Sequence, residues 1–405
     1  MRKLLGLAII AALVLPGCTT VRDWFRSDEN KATDPVKLVD IANARDVDTL
    51  WSASLGSGEG RLGFRQRPGF DGSTVFAVTE DGALRALDAE SGDGRWERTL
   101  EELGSSRGWR LWERDVRIGG LQSSVGVGDG LVAVAGRSGV VFAVDAGSGE
   151  PRWETQVSAE VLAAPLVTSG LVIVRSQDGR VVGLNAADGK RRWSFERAIP
   201  TLSSRGASAP ASAGGLVLIG NDDGTVVALR AEDGIPVWEA IVAEPEGRTE
   251  LDRLVDIDGD LAVGADAVYA SSVRGITAAI SISSGQVGWT RDNGGANALE
   301  VTSDGVLLAD SGGTLWSLDR AGGSALWRQE GLVRRQPSGV ALAGTLAVVG
   351  DVEGYLHWFD PATGEFKARE RIGSARVLAT PLTTPTGTVI AVTDEGRIAA
   401  FRVVE

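Results

Sequence analysis

Short runs of β-branched and aliphatic residues alternate with polar turns along most of this chain, and residues 163–195 show it most clearly. The four runs there are Ala164–Val167, Leu171–Val174, Arg180–Leu184 and Arg191–Phe195. The second and third are separated by Gln177–Gly179, an Asp-Gly turn typical of a β-hairpin. Similar turn signals stand at 80–82, 138–139, 222–224, 312–313, 353–354 and 395–396. Runs of this length and composition predict antiparallel strands joined by hairpins.

A second pattern repeats on a longer scale: a polar residue, then Gly four positions later, then Trp after four more. Its copies are Asp88, Gly92, Trp96; Asp145, Gly149, Trp153; Asn185, Gly189, Trp193; Arg230, Gly234, Trp238; Ser281, Gly285, Trp289; and Asp319, Gly323, Trp327. A seventh copy, Asp360 and Gly364, has Ala368 at the Trp position, and Trp51 stands near the start without such a turn. Successive Trp positions are 38 to 57 residues apart, which is typical of repeated supersecondary units.

Four antiparallel strands per repeat, arranged radially, predict an all-β fold, an eight-bladed β-propeller over residues 47–405. The last repeat has only three strands, and the segment Leu50–Ser52 has the composition of the missing fourth, so we expect the N-terminal strand to close the ring. In each turn, the polar side chain is expected to bond the backbone and the Gly to supply a positive φ. The Trp would then cover the joint with the next blade, and Ala368 would leave one joint without a ring.

The N-terminus reads as a membrane-targeting segment. Residues 1–17 carry two basic residues and then an apolar run too short to span a bilayer, as in a secretory signal peptide. The run ends in Leu15-Pro16-Gly17-Cys18, which resembles the lipobox of bacterial lipoproteins and implies lipidation of Cys18. Thr19 after the Cys favours the outer membrane. Residues 18–46 are expected to carry the lipidated Cys and form a tether, with Leu38 and Ile41 packing on the domain.

Composition narrows the chemistry. The 405 residues are 43% hydrophobic, enough for a large core, and the formal charge of −13 argues against a nucleic-acid partner. Cys18 is the only Cys and His357 the only His, so no disulfide within the chain and no Cys/His metal site is expected. His357 lies in a strand-like run, which favours packing over catalysis. Composition therefore gives no support to a Cys/His metal site or to His-based catalysis.

Four stretches of the chain stand out beside the repeats: Leu50–Gly58, Leu202–Pro210, Thr249–Asp258 and Gly350–Trp358. The repeats resemble those of quinoprotein-type propellers, and with these stretches the whole chain resembles the BamB family, the lipoprotein subunits of the outer-membrane β-barrel assembly (BAM) machine. The resemblance implies a non-enzymatic scaffold without a cofactor. Such a scaffold would face the periplasm, bind the POTRA domains of BamA and assist the assembly of unfolded outer-membrane β-barrel proteins.

The resemblance also implies which residues contact BamA. Leu202, Ser204 and Arg205 match one loop of the family's contact face, and Asp256 and Asp258 match a neighbouring loop. Ser204 replaces the apolar residue that the family often has there. The alternative for these loops is that Arg205 and Asp256 pair with each other and only fix the loop conformation.

Three other hypotheses stay open at this stage. A dehydrogenase dependent on pyrroloquinoline quinone shares the repeat, but such enzymes typically use a vicinal Cys-Cys disulfide that this chain cannot form. The central channel of a propeller can bind a peptide or small ligand at its mouth, and an outer blade edge can pair with a client strand.

The insertion 101–120 adds Trp109 and Trp112 outside the repeat. For these two side chains, packing across a blade edge is favoured over contact with a partner.

Overall fold

The computed structural model describes residues 34–56, 66–79, 83–99, 124–136, 138–204, 206 and 208–404. In this part of the chain, 32 strands form eight four-stranded antiparallel sheets, which confirms the predicted eight-bladed propeller. The signal segment 1–17, Cys18, the turn 80–82, the insertion 101–120 and Arg205 lie outside the described residues. No helix in the described ranges is long and apolar enough to cross a membrane.

The strands follow the chain in regular groups. The first strand and those of blades 1 to 3 are β1 (Val47–Ser54), β2 (Gly69–Phe70), β3 (Thr74–Val78), β4 (Ala83–Asp88), β5 (Gly94–Thr99), β6 (Gly126–Gly128), β7 (Leu131–Ala135), β8 (Val140–Asp145), β9 (Pro151–Gln156), β10 (Leu166–Thr168), β11 (Leu171–Arg175), β12 (Arg180–Asn185) and β13 (Arg191–Glu196). Blades 4 to 6 contain β14 (Ala211–Ala213), β15 (Leu216–Gly220), β16 (Thr225–Arg230), β17 (Pro236–Ile241), β18 (Ala262–Val263), β19 (Ala267–Ser271), β20 (Thr277–Ser281), β21 (Val287–Arg291), β22 (Glu300–Val301), β23 (Gly305–Ala309), β24 (Leu315–Asp319) and β25 (Ala325–Gln329). Blades 7 and 8 contain β26 (Ala341–Ala343), β27 (Leu346–Gly350), β28 (Tyr355–Phe359), β29 (Phe366–Arg371), β30 (Leu382–Thr383), β31 (Val389–Val392) and β32 (Arg397–Val403).

The two ends of the chain share blade 8, as predicted. Its strand order is β1-β32-β31-β30, and β1 pairs antiparallel with β32 so that Val47 faces Val403 and Trp51 faces Ala400. The N-terminal strand therefore supplies the fourth strand that the last repeat lacks, and the ring has no open joint.

The hydrophobic core lies between the blades. Among the described residues it forms eight clusters, and each joins two consecutive blades, the last joining blade 8 to blade 1. The second strands are buried along their length, as in β11, because both of their faces meet a neighbouring blade. The fourth strands are much more exposed, as in β9 and β13, because they form the rim of the ring.

The repeated turn adopts the conformation expected of it. In the first copy, the Asp88 carboxylate accepts hydrogen bonds from the backbone N–H groups of Glu90 and Ser91, both at 3.0 Å. Gly92 has φ +75°, a conformation that residues with a side chain rarely adopt. The Arg95 guanidinium, with these N–H groups, lowers the pKa of Asp88 to about 2.

Each repeat Trp docks on the turn of the next blade. Its indole N–H donates to the carbonyl of the residue that follows the turn's first polar residue, and its ring covers the turn glycine. The donor and acceptor pairs are Trp51–Ala89 (3.0 Å), Trp96–Ala146 (3.0 Å), Trp153–Ala186 (2.7 Å), Trp193–Ala231 (2.9 Å), Trp238–Ile282 (2.8 Å), Trp289–Arg320 (3.0 Å) and Trp327–Pro361 (2.9 Å). The turn and the Trp of one sequence repeat thus belong to two different joints.

The prediction that Ala368 leaves one joint without a ring is wrong. Ala368 pairs directly with Trp358 on the third strand of the same blade, and Trp358 packs in the cluster between blades 7 and 8, with its ring centroid 6.5 Å from that of Phe401. In the other blades the Trp stands on the fourth strand and a small residue faces it. These small partners are Ala86, Ala143, Gly183, Ala228, Ala279, Ser317 and, for Trp51, Ala400.

The exchange of the Trp and the small residue between the third and fourth strands of blade 7 has a topological cause. Blade 8 takes its fourth strand from the other end of the chain, so no turn connects its third strand β32 to its fourth strand β1. A Trp at position 368 would therefore find neither the turn carbonyl nor the turn glycine that receive the other seven rings. The ring sits instead on β28, where Trp358 is almost fully buried and its indole N–H has no hydrogen-bond partner among the described residues.

The segment that precedes β1 lies along blades 6 and 7. Leu38 and Ile41 pack against the cluster between these blades, as predicted from their hydrophobicity. The Arg335 guanidinium donates to the carbonyl of Val36 at 2.9 Å, and that of Arg369 to the carbonyl of Val39 at 3.0 Å. The described part of the predicted tether is therefore bound to the propeller.

Candidate functional site

The two loops that the sequence singled out flank blade 4. One connects β13 to β14 and contains Leu202 and Ser204, and the other connects β17 to β18 and contains Asp256 and Asp258. Both loops run from the rim of the ring to its inner strands, where Ser204 and Asp258 reach the mouth of the central channel. The topology thus brings together residues that are more than fifty positions apart in sequence.

Ser204 joins the two loops. Its backbone N–H and its hydroxyl donate to Oδ2 of Asp256 at 2.6 and 2.9 Å. The same hydroxyl also forms a hydrogen bond with Oδ2 of Asp258. Asp256 is fully buried, whereas Asp258 is partly exposed. Asp256 therefore affects the protein surface through Ser204, whose position it fixes by two hydrogen bonds.

Burial and like charges perturb both carboxyl groups. Burial raises the pKa of Asp256, and the nearby Asp222 carboxylate raises it further, against the hydrogen bonds from Ser204. Burial likewise raises the pKa of Asp258 to about 6, the Asp256 and Asp222 charges add to this shift, and Ser204 and Arg175 oppose it. Arg175 is itself buried and forms an ion pair with Asp222.

Smaller features fix the loop conformation. A methyl group added at Gly206 would lie 2.2 Å from the carboxyl carbon of Asp258, so only glycine fits there without a shift. Asp260 accepts a hydrogen bond from the backbone N–H of Ala209 at 2.9 Å and lies 4.0 Å from the guanidinium of Arg67. The contacts of Gly206 and Ala209 hold the first loop against the second on the C-terminal side of Ser204.

Large apolar side chains are exposed around these loops. Leu202 is 43% exposed and Leu251, on the second loop, is 71% exposed. Ile199 and Ile241 are also about half exposed, and Arg197, two residues before Ile199, pairs with Glu239, two residues before Ile241, at 2.7 Å. This pair ties the start of the first loop to the outer strand of blade 4.

The central channel opens beside this surface as a cavity of about 1060 Å³. Its lining is mixed, with apolar side chains such as Phe70, Leu166 and Leu382 and polar groups such as Ser204 and Asp258. The described residues contain no group of three or more His, Cys, Asp or Glu side chains that could hold a metal ion.

His357 occupies a separate, buried polar cluster. It is fully buried, which agrees with a packing role, and its Nε2 lies 2.9 Å from Oδ2 of Asp351. Its Nδ1 accepts a hydrogen bond from Arg369 at 3.1 Å, so the ring proton lies on Nε2. Burial lowers the pKa of His357 against the opposing effect of Asp351. Arg335 completes the cluster with a 2.7 Å bond to Asp351.

The structure assembles most of the sequence-predicted site and adds to it. Leu202, Ser204, Asp256 and Asp258 lie together, and Arg205 is outside the described residues. Sequence reasoning missed the Arg175–Asp222 ion pair beneath the loops. The signal was weak, because Asp222 stands in a hairpin turn Asp222-Asp223-Gly224 that a turn alone explains.

Comparisons with known proteins agree with this fold. The sequence profile described as "Outer membrane protein assembly factor BamB" matches residues 37–107, 102–329 and 311–404. A protein of that name from Xanthomonas campestris is 40% identical over 100% of this chain and 98% of its own length, and one from Escherichia coli is 34% identical over 94% of each chain.

Solved structures show the same fold. The crystal structure of BamB from Moraxella catarrhalis superposes with a TM-score of 0.77 at 23% identity, covering 88% of this chain and 100% of that one. A quinohemoprotein alcohol dehydrogenase from Comamonas testosteroni superposes with a TM-score of 0.68 at 14% identity, covering 91% and 79%. At these identities both likenesses concern the fold alone. The sequence matches, in contrast, extend over nearly the whole chain, and the chain therefore belongs to the BamB family of outer membrane protein assembly factors.

Proposed function

We propose that this chain is a scaffold subunit of the BAM machine that binds the POTRA domains of BamA and assists the assembly of unfolded β-barrel proteins into the outer membrane. The proposed contact surface consists of Leu202, Ser204, Arg205, Asp256 and Asp258. Membership of a family of outer membrane protein assembly factors supports the machine and the process. The contact with POTRA domains rests on the resemblance of these loops to the family's contact loops, and their geometry is compatible with an interface.

The observation that carries this proposal is that several large apolar side chains are exposed on the loops and the strand end that flank blade 4. Ile199, Leu202, Ile241 and Leu251 lie on the two loops and the adjoining strand end, where hydrogen bonds fix the backbone. An exposed apolar surface on a rigid support is typical of a protein–protein interface. Burying Leu202 against a partner would contribute about 1–2 kcal/mol, or about tenfold in affinity.

The test compares two leucines of similar exposure. Leu202→Asp in the full lipoprotein, in detergent, should weaken binding to purified BamA by about tenfold or more, because it places a charge in the proposed interface. Leu326→Asp is the matched control, since Leu326 is 52% exposed on β25, two blades away. Equal affinities of the two variants, both folded by circular dichroism, would remove this surface from the interface.

The lipid anchor is a separate part of the proposal. Cys18 is the proposed lipidation site, and it would hold the propeller at the outer membrane on the periplasmic side. Cys18→Ala should abolish incorporation of radiolabelled palmitate and move the protein from the membrane fraction to the soluble periplasmic fraction. Retention of label in the variant would overturn the assignment.

A dehydrogenase is the second candidate, favoured only by the shared fold. Membership of a family of assembly factors confirms the prediction of a non-enzymatic protein. A ligand in the central channel is supported by the size of the cavity alone. Neither candidate is proposed further.

A further inference from the structure

One hydroxyl group lies between a buried and a partly exposed carboxyl group at the centre of the proposed docking surface. Ser204 Oγ is within hydrogen-bond distance of Oδ2 of Asp256 and of Oδ2 of Asp258. A serine hydroxyl carries one proton and can donate to one of them only. If both carboxyl groups were ionised, the second contact would bring two oxygen lone pairs together without a proton between them.

Among the described residues, the charges around the two carboxyl groups do not neutralise them. Asp222 brings a third carboxylate close to both, and Arg175, the cation beneath the loops, already pairs with Asp222. On the other side, Asp260 faces Arg67. Oδ1 of Asp256 and Oδ1 of Asp258 are buried without a hydrogen-bond partner among the described residues. Buried carboxylates in such surroundings are strongly disfavoured relative to the neutral acid.

We propose that Asp258 binds a proton that completes a chain of hydrogen bonds between the two loops, so that docking of BamA on this surface is linked to pH. In this chain the Asp258 carboxyl group donates to Ser204 Oγ, and the Ser204 hydroxyl and N–H donate to Oδ2 of Asp256. This inference rests on the proposed docking function of the loops. It adds a proton as a second ligand of the same surface.

Loss of the proton would loosen the docking surface. Once Asp258 is ionised, its contact with Ser204 Oγ becomes a contact between two acceptors, and the repulsion from Asp256 and Asp222 favours separation of the loops. The pKa of about 6 places this change in the range from pH 5.5 to 7.5. If only the protonated form docks, the affinity for BamA falls by about 25-fold across this range, in proportion to the protonated fraction.

The experiment measures the affinity of the full lipoprotein for purified BamA, both in detergent, at pH 5.5, 6.5 and 7.5. The wild type should weaken as the pH rises, by up to about 25-fold. Asp258→Asn, which keeps a hydrogen-bond donor towards Ser204 without a charge, should bind at pH 7.5 as tightly as it does at pH 5.5. Ser204→Ala removes the bridge and should bind at pH 5.5 no better than the wild type does at pH 7.5.

A matched control separates this site from buried acids in general. Burial also raises the pKa of Glu300, which lies on β22 in blade 6 and belongs to neither loop. Glu300→Gln should therefore keep the pH dependence of the wild type. If Glu300→Gln abolishes that dependence, or if Asp258→Asn retains it, the proposal is wrong.

A measurement without BamA distinguishes failure of this inference from failure of the proposed function. An acid with a raised pKa in the folded state destabilises the fold as the pH rises through that pKa. Asp258→Asn should therefore raise the melting temperature relative to the wild type at pH 7.5 and change it little at pH 4. This difference with no binding to BamA at any pH would overturn the docking function and leave the proton site in place. Identical shifts at both pH values would overturn the proton site.

Discussion

Gly234→Ala tests whether the Trp rings hold the blades together. Gly234 has φ +71°, and a methyl group there would lie 2.5 Å from the ring of Trp193 in the preceding blade. The left-handed backbone costs about 1–2 kcal/mol for alanine. The clash with the ring, which must move by a large fraction of an ångström, adds about 1–3 kcal/mol. The variant should therefore lose about 2–5 kcal/mol of unfolding free energy.

Gly170→Ala is the matched control. Gly170 has φ +74°, nearly the same backbone conformation, and nothing lies within 4 Å of the position that its methyl group would take. This variant should lose only the backbone part, about 1–2 kcal/mol. The difference between the two alanine variants isolates the contact between Trp193 and the turn.

A double-mutant cycle with Trp193→Ala completes the test. Trp193→Ala alone should cost about 3–5 kcal/mol, because it leaves a cavity between blades 3 and 4 and removes the hydrogen bond to Ala231. In that background, Gly234→Ala has no ring to displace and should cost about 1–2 kcal/mol. Urea unfolding followed by far-ultraviolet circular dichroism measures all four proteins. Additive effects, or equal losses for Gly234→Ala and Gly170→Ala, would refute the role of the ring.

Three further predictions concern the ring closure, the buried charges and the turns. Deleting residues 47–56 should lower the melting temperature sharply, because blade 8 loses its fourth strand; an unchanged melting curve would contradict the closure. Arg335→Met should cost about 3–5 kcal/mol of unfolding free energy in urea, because the buried Asp351 loses its main cation; a loss below about 1 kcal/mol would show that the pair contributes little. Asp88→Asn should lower stability at pH 7 by no more than about 1 kcal/mol, and the difference should vanish as the pH falls through about 2, since the lowered pKa stabilises the fold only while the carboxyl group is ionised; a constant difference in melting temperature down to that pH would contradict this.

The fold could be predicted from the sequence because its signals are local and repeated. Strands β10 to β13 begin and end within two residues of the apolar runs that predict them. Asp-Gly turns set the hairpins, and the lone Trp51 indicated the strand that closes the ring. Each of these features depends on a few neighbouring residues, so tertiary packing had little opportunity to override them.

The position of Trp358 shows how a local pattern can mislead. The Trp motif indicated a joint without an indole ring at Ala368, although the sequence has a Trp ten residues earlier, Trp358. That position holds Ala, Gly or Ser in the six other copies, and Trp in this one. Only the strand register shows that the two positions face each other across the blade, so the exchange of large and small residues could not be read from spacing alone.

The docking loops were located by sequence, but their internal contacts were not. Resemblance placed Ser204 and Asp256 on neighbouring loops, and the two are 52 residues apart. Their hydrogen bond depends on how two connections cross the same face of blade 4, which no local preference determines. The burial that raises the pKa of Asp258 arises from the same crossing.

Each repeat Trp docks on the turn of the following blade, so the circle of blades has a direction. It also has one joint that differs from the others, the seam between blades 7 and 8. Blades 1 to 7 each present the turn that receives the preceding blade's ring, so a blade could be duplicated or lost among them with the joint chemistry unchanged. The joint between blades 7 and 8 has a different chemistry, built on Trp358 and closed by β1. The backbone of Arg45, just ahead of β1, bonds Lys367 on blade 7 beside this seam. A change in the number of blades would therefore leave this seam in place, together with the N-terminal segment that joins the propeller there.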